Sequence, residues 1–216
     1  FVRGQRSLAQ AIEEVRRASI EDRLRLLEPF LKVCDTLAYA HAKHVIHRDL
    51  KPDNVALGEF GEVVLLDWGL AKLEGREDKA SSRWQERIHE YRSATDLRTL
   101  ASGVGTPGYM SPEAALGELE VMDERSDVYS LGVILFEILT GRLPIEGRTY
   151  LEYVDQLTRA SAPPAVDVDG AVPRALSEIA ARALARARVE RPASAAELAT
   201  AVRRWQAASA VDREVE

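Results

Sequence analysis

The chain has 216 residues, 46% of them hydrophobic, which is enough material for one sizeable buried core. Its residues are 30% charged at a formal net charge of only −6, which excludes the basic surface that a nucleic-acid binder needs. One cysteine, Cys34, excludes an intrachain disulfide framework and fits a reducing, cytoplasmic compartment. The most apolar stretch, Leu131 to Leu139, is too short for a bilayer and carries Glu137, so no membrane span is expected here. A membrane anchor elsewhere in a longer protein stays open, because the first segment, from Phe1, reads as the middle of a domain.

Ser7 to Gln10 has the S-x-x-Q form of a capping box, and Leu8, Ile12 and Val15 follow at helical spacing, predicting a short first helix. From Asp22 to about Lys43, Leu24, Leu27, Leu31, Cys34, Leu37 and Ala38 recur at three and four, predicting one long helix facing the core. Two β-rich runs, Asn54 to Leu57 and Val63 to Leu66, flank Gly58, Glu59, Phe60 and Gly61 at a spacing that suits a small hairpin. Between Leu73 and Ser102 charged and small residues dominate, and a mobile loop is expected. Order returns at Pro112. Asp127 to Thr140 is apolar on nearly all sides and reads as the central helix. Helices around Tyr150 to Arg159, Pro173 to Ala187 and Ser194 to Ala207 complete a mainly helical chain with one hairpin; the last opens on a Ser194 to Glu197 capping box.

The chemistry concentrates in His47-Arg48-Asp49-Leu50-Lys51-Pro52-Asp53-Asn54, between the long helix and the hairpin. This segment resembles the catalytic loop of eukaryotic-like protein kinases, meeting H-R-D-L-x-x-x-N at every specified position. The resemblance implies that Asp49 orients the attacking hydroxyl and takes its proton. It implies that Lys51 offsets charge on the γ-phosphoryl group of ATP, and a lysine there points to Ser/Thr rather than Tyr acceptors. Asn54 and Asp67 then supply the neutral and the charged oxygen ligand for Mg2+, with Mn2+ as an alternative. Asp67-Trp68-Gly69 stands where the family shows D-F-G. Gly69 keeps a permissive backbone, whereas Trp68 brings an indole N–H that needs a partner when buried.

Gly105 to Glu113 is similar to the end of a kinase activation segment, with Ser111 replacing the alanine of A-P-E. By that resemblance Thr106 contacts the catalytic aspartate and lysine, and Glu113 pairs with an arginine near the C-terminus, for which Arg191 is the candidate. Ser126 to Gly132 resembles the start of the family's central helix, where Asp127 would hydrogen-bond the backbone of the catalytic loop. Arg48 matches an arginine that in many relatives binds a phosphate on the activation segment, residues 67–113, and Thr99 or Ser102 are the expected autophosphorylation sites. His41, His44 and His89 lack metal-ligand spacing and are expected at the surface or at helix ends.

The resemblance extends over residues 1–208, with 209–216 as a tail. It implies the C-terminal lobe of a bacterial eukaryotic-like Ser/Thr protein kinase: mainly α within an α+β parent fold, a helical bundle with a small β-hairpin carrying the catalytic and metal loops. The glycine-rich loop, the V-A-I-K lysine and the glutamate of the N-terminal lobe do not occur, so that lobe is expected to be absent and the chain alone to bind ATP weakly. The expected partner is a protein with a Ser/Thr acceptor. Two rival readings are a kinase-like scaffold (a pseudokinase) that binds partner proteins and a small-molecule phosphotransferase. Retention of Asp49, Lys51, Asn54 and Asp67 argues against the first; the Gly105 to Glu113 segment argues against the second.

Overall fold

Ser7 caps the first helix as expected. Its hydroxyl accepts from the Gln10 amide at 3.2 Å while the Gln10 side chain accepts from the Ser7 amide at 2.9 Å, which completes the capping box. Helix α1 then runs Leu8–Val15 with Leu8, Ala11 and Ile12 buried. The structure, a computed structural model, describes residues 6–73, 78, 80–97 and 107–215.

The predicted long helix is two helices, α2 (Ile20–Leu24) and α3 (Leu27–His41). Pro29 accounts for the break. Its ring would collide with the carbonyl of Arg25, four residues back, and it has no N–H to offer that carbonyl. Placed in the first turn of α3, where amide donors have no intrahelical partner, the missing N–H is harmless. Phe30, Leu31, Cys34 and Leu37 bury the inner face of α3.

The hairpin stands where the alternation places it. Strand β1 (Arg6–Ser7) pairs with β3 (Val55–Leu57), which pairs in turn with β4 (Val63–Leu65), all antiparallel, with Val55 opposite Leu65 and Leu57 opposite Val63. A second ladder joins β2 (Val45–Ile46) to β5 (Lys72–Leu73). Together these two ladders bracket residues 47–54 on one side and residues 66–71 on the other.

The expected mobile loop contains a helix, α4 (Ser81–Ser93). Trp84, Ile88 and Tyr91, spaced four and three, form a narrow apolar stripe that is buried while the remaining faces stay charged. The Tyr91 ring stacks on Tyr150 at 5.8 Å between centroids, which ties this segment to the body of the domain.

Helix α5 (Pro112–Leu116), capped by Ser111, leads to α6 (Glu124–Thr140), capped by Asp123 and buried along almost its whole length. Four helices follow: α7 (Tyr150–Arg159), the short α8 (Ala165–Val168), α9 (Arg174–Ala183) and α10 (Ala195–Val215). Gly132 lets α9 close onto α6, since a Cβ there would stand 2.7 Å from the Ala183 Cβ. Helix α10 does not stop near Ala207; with no glycine or proline after Pro192 to end it, it continues through the expected tail to Val215.

Gly141 ends α6 in the left-handed region at φ +67°, and an added Cβ would lie 2.7 Å from the Arg16 carbonyl oxygen. Arg16 Nε donates to the Gly141 carbonyl at 2.9 Å, so this turn docks the end of α1 against the central helix. Gly141→Ala is expected to lower stability by about 2–4 kcal/mol, from the left-handed penalty plus the backbone clash, as read by urea unfolding.

Candidate active site

Asp127, on the first turns of α6 and 1% exposed, holds the 47–54 loop by its backbone. Its Oδ2 accepts from the His47 amide and its Oδ1 from the Arg48 amide, each at 2.8 Å. The same carboxylate meets His41 Nε2 at 2.9 Å, so His41 sits at a helix end as expected, partly buried against α6; His44 and His89 are exposed. Arg48 and Asp67 both take positive φ, +67° and +57°. Such backbone strain, of order 1 kcal/mol or more per residue, persists only where the surroundings over-determine it. Asp127 provides that constraint for Arg48.

Within the loop, Asn54 Nδ2 donates to the Asp49 carbonyl at 2.8 Å, which leaves the amide oxygen of Asn54 as an acceptor. His47 Nε2 lies 3.1 Å from the Leu66 carbonyl, and its ring packs on Trp68 at 4.6 Å between centroids. The Trp68 indole N–H finds its partner in the Leu65 carbonyl at 3.1 Å, so the larger ring is accommodated half-exposed against His47. Gly69 does not take a positive φ. Its use is space, since its amide donates to Asp67 Oδ1 at 3.3 Å and a Cβ there would crowd that oxygen at 3.1 Å.

The Asp49 carboxylate is the meeting point. Lys51 Nζ and Asn54 Nδ2 both lie 3.5 Å from its Oδ2, and Lys51 and Asn54 are themselves buried. A third group, which the sequence did not reveal, reaches the same oxygen: Arg87 Nη1 of α4, at 2.5 Å. Asp67 lies exposed beside them, lining with Arg83 and Arg87 a cleft of about 260 Å3. Had α4 been recognised as a helix, the spacing of Arg83 and Arg87 would have put both on one face.

Arg48 is fully committed. Its Nε donates to the Leu70 carbonyl at 2.7 Å, and its guanidinium forms a bidentate pair with Asp78 at 2.6 and 2.8 Å. Hydrogen bonds from Arg48 hold the Asp78 carboxyl below the usual carboxylate range. Asp78, another residue the motifs did not flag, also accepts from the Ala80 amide at 3.1 Å, at the entrance to α4.

Farther out, Glu113 and Arg191 form a buried bidentate pair at 2.7 and 2.9 Å, and Ser126 donates to Glu113 at 2.7 Å. Arg191 also donates to the carbonyls of Ala185, Arg125 and Arg186 and lies 4.9 Å above the Tyr129 ring. Thr106, Thr99 and Ser102 lie outside the described residues, as do Phe1 and Val2. Among the described residues no cluster of three or more His, Cys, Asp or Glu could hold a metal, and no helix is long and apolar enough to cross a membrane.

A carboxylate in contact with a lysine and an asparagine, a second carboxylate beyond a short hairpin, and a buried aspartate clamping the loop from a central helix together define a protein-kinase fold. The chain belongs to the protein kinase domain family, whose sequence profile matches residues 2–201. Within that family, the relatives it is similar to are bacterial serine/threonine-protein kinases. It is 40% identical over 138 residues to the serine/threonine-protein kinase PknD of Protochlamydia amoebophila, covering 63% of this chain and 14% of that protein. It is 38% identical over 208 residues to PknD of Chlamydia trachomatis, covering 90% of this chain and 20% of that protein. PknD of Chlamydia muridarum is 38% identical over 180 residues. The chain thus spans a fifth or less of the length of these curated relatives.

Proposed function

We propose that this chain is the catalytic lobe of a Ser/Thr protein kinase, transferring the γ-phosphoryl group of ATP to a protein hydroxyl. The observation that carries the reading is the convergence of Lys51 and Asn54 on Asp49 Oδ2, in a loop whose backbone is held by Asp127. Asp49 orients the acceptor hydroxyl and takes its proton as the new O–P bond forms; the bond from the γ-phosphorus to the bridging oxygen breaks, and ADP leaves with that electron pair. Lys51, held at the rim of the same carboxylate, offsets charge on the transferring group.

The donor set fits a hard cation. Asp67 offers a carboxylate and Asn54 a free amide oxygen, and Mg2+ asks for only one or two protein oxygens when nucleotide phosphates supply others. When bound, Mg2+ neutralises charge on the triphosphate. The motifs that cover ATP from above are not in these 216 residues, so the reading assigns them to an N-terminal lobe outside this sequence. A cavity of about 390 Å3 beside Pro107 and Gly108, walled by Leu97, Leu143, Ile145 and Tyr153, suits a peptide acceptor better than a small alcohol.

The test is phosphotransfer by the full-length protein from radiolabelled Mg-ATP to casein, with phosphoamino-acid analysis. Label on serine and threonine is expected, and the 216 residues alone are expected to transfer negligibly. Label on glycerol or tyrosine in preference to protein serine and threonine would overturn the reading.

A further inference from the structure

We propose that the trough between α4 and residues 116–119 is a binding site for a small apolar carboxylate, with Arg92 as the group that meets its anionic end. The trough is separate from the candidate active site. Arg83, Glu86, Arg87 and Glu90 line the cleft beside Asp67, and none of them lines the trough.

Its shape suits a small molecule. The trough holds about 350 Å3, within the range of small-ligand sites. Trp84, Ile88 and Arg92 follow one another at intervals of four along α4, so they share one wall over about 12 Å. Leu116 and Leu119 belong to the facing wall. Leu116 is left 44% exposed, and an apolar ligand that covers it gains by removing that surface from water.

Its charge is the reverse of the surroundings. In a chain of net charge −6, the cavity beside Pro107 carries Glu146 and Glu152, and the cleft beside Asp67 carries three acids. Among the described residues no acid lines the trough, where Arg92 is joined by His89. Glu118 and Glu120, on either side of Leu119 in sequence, are exposed and do not line it. Lys72 Nζ donates to the Leu119 carbonyl at 3.3 Å, which brings a second cation to that wall. Arg92 is exposed and forms no ion pair among the described residues, so its planar fork of donors is open to a carboxylate.

A third observation is independent of charge. Trp84 is 1% exposed, yet its indole Nε1 has no hydrogen-bond partner among the described residues. A buried donor without an acceptor is uncommon in native proteins and costs stability. The wall is therefore short of an acceptor at Trp84 as well as at Arg92. An apolar body bearing oxygens matches it; a cation or a plain hydrocarbon does not.

The probe is 2-naphthylacetate, a rigid apolar body with a carboxylate at one end, and 2-naphthylacetamide is its uncharged counterpart of equal shape. Both are titrated calorimetrically into the full-length protein as wild type, Arg92→Gln and Leu116→Glu. Wild type is expected to bind the carboxylate saturably and about tenfold more tightly than the amide. Arg92→Gln should erase that preference while leaving the affinity for the amide unchanged, because the apolar walls remain. Leu116→Glu, at the exposed end of α5, should abolish binding of the carboxylate by setting a like charge at the mouth. Bound carboxylate should also slow amide exchange in residues 81–93 and 112–119, which ties the measured heat to this trough.

Absence of saturable binding, equal affinity of wild type for acid and amide, a preference that survives Arg92→Gln, or binding without protection of those two segments each overturns the proposal. Binding of a peptide that ends in a leucine carboxylate, with none of 2-naphthylacetate, would assign the trough to a protein partner and overturn it as well.

Discussion

Asp49→Asn is expected to cut phosphotransfer by about 10²–10⁴-fold, the range that a positioned proton acceptor contributes, while the fold stays intact. Asparagine has the shape of aspartate and can still orient a hydroxyl through its amide oxygen, but it cannot take a proton. The loop itself does not depend on the carboxylate. Its backbone is held by Asp127 through the His47 and Arg48 amides and by Asn54 through the Asp49 carbonyl, none of which the substitution touches. Far-UV circular dichroism and the KM for ATP should therefore match wild type while single-turnover transfer collapses. The same change removes the partner of Arg87, so amide exchange across residues 81–93 should quicken. A variant retaining more than about a tenth of wild-type transfer, below the contribution expected of a general base, would place that role on another group.

The legible and illegible parts of the site divide along physical lines. Asp49, Lys51, Asn54, Asp67, Glu113 and Asp127 could be picked out because each stands in a short motif that resembles one of the protein kinase family, and such patterns survive without any knowledge of tertiary contacts. Arg87 and Asp78 could not. Their partners, Asp49 and Arg48, lie far upstream, and arginine and aspartate in a charged stretch carry no pattern of their own. Helix α4 was hidden for a related reason: three apolar residues in thirteen give a weak period, and its burial depends on Tyr150, which only the fold brings near. Strands β1, β2 and β5 have two residues each, too few for an alternation to exist. The break between α2 and α3 was readable from Pro29, a signal outweighed by the regular apolar spacing on either side of it. Helix α10 shows the reverse error, an expected end near Ala207 where no residue supplies a stop.

The Glu113–Arg191 pair makes the largest expected stability change. Arg191→Ala is expected to destabilise the protein by about 3–5 kcal/mol, because it leaves a carboxylate buried without its counter-charge. The effect should depend on pH with a definite sign. In the intact protein, burial pushes the Glu113 carboxyl upward, but the hydrogen bonds and charge of Arg191, with the Ser126 hydroxyl, outweigh it and hold the group below its ordinary value. A carboxyl lowered on folding contributes stability that is complete above its unfolded value, about 4.3, and is lost as pH falls through the folded one. Without Arg191 burial dominates and the folded value rises above the unfolded one, so ionised Glu113 opposes folding at neutral pH and the penalty fades as acid protonates it. The difference between wild type and variant, read from urea unfolding, should be widest at neutral pH and narrow toward about pH 4. Adding Glu113→Gln to Arg191→Ala should recover part of the loss at neutral pH, since an amide buries no charge. A gap that stays constant with pH, with no recovery in the double variant, would mean that Arg191 acts through its contacts with the Ala185, Arg125 and Arg186 carbonyls and the Tyr129 ring rather than through the charge of Glu113.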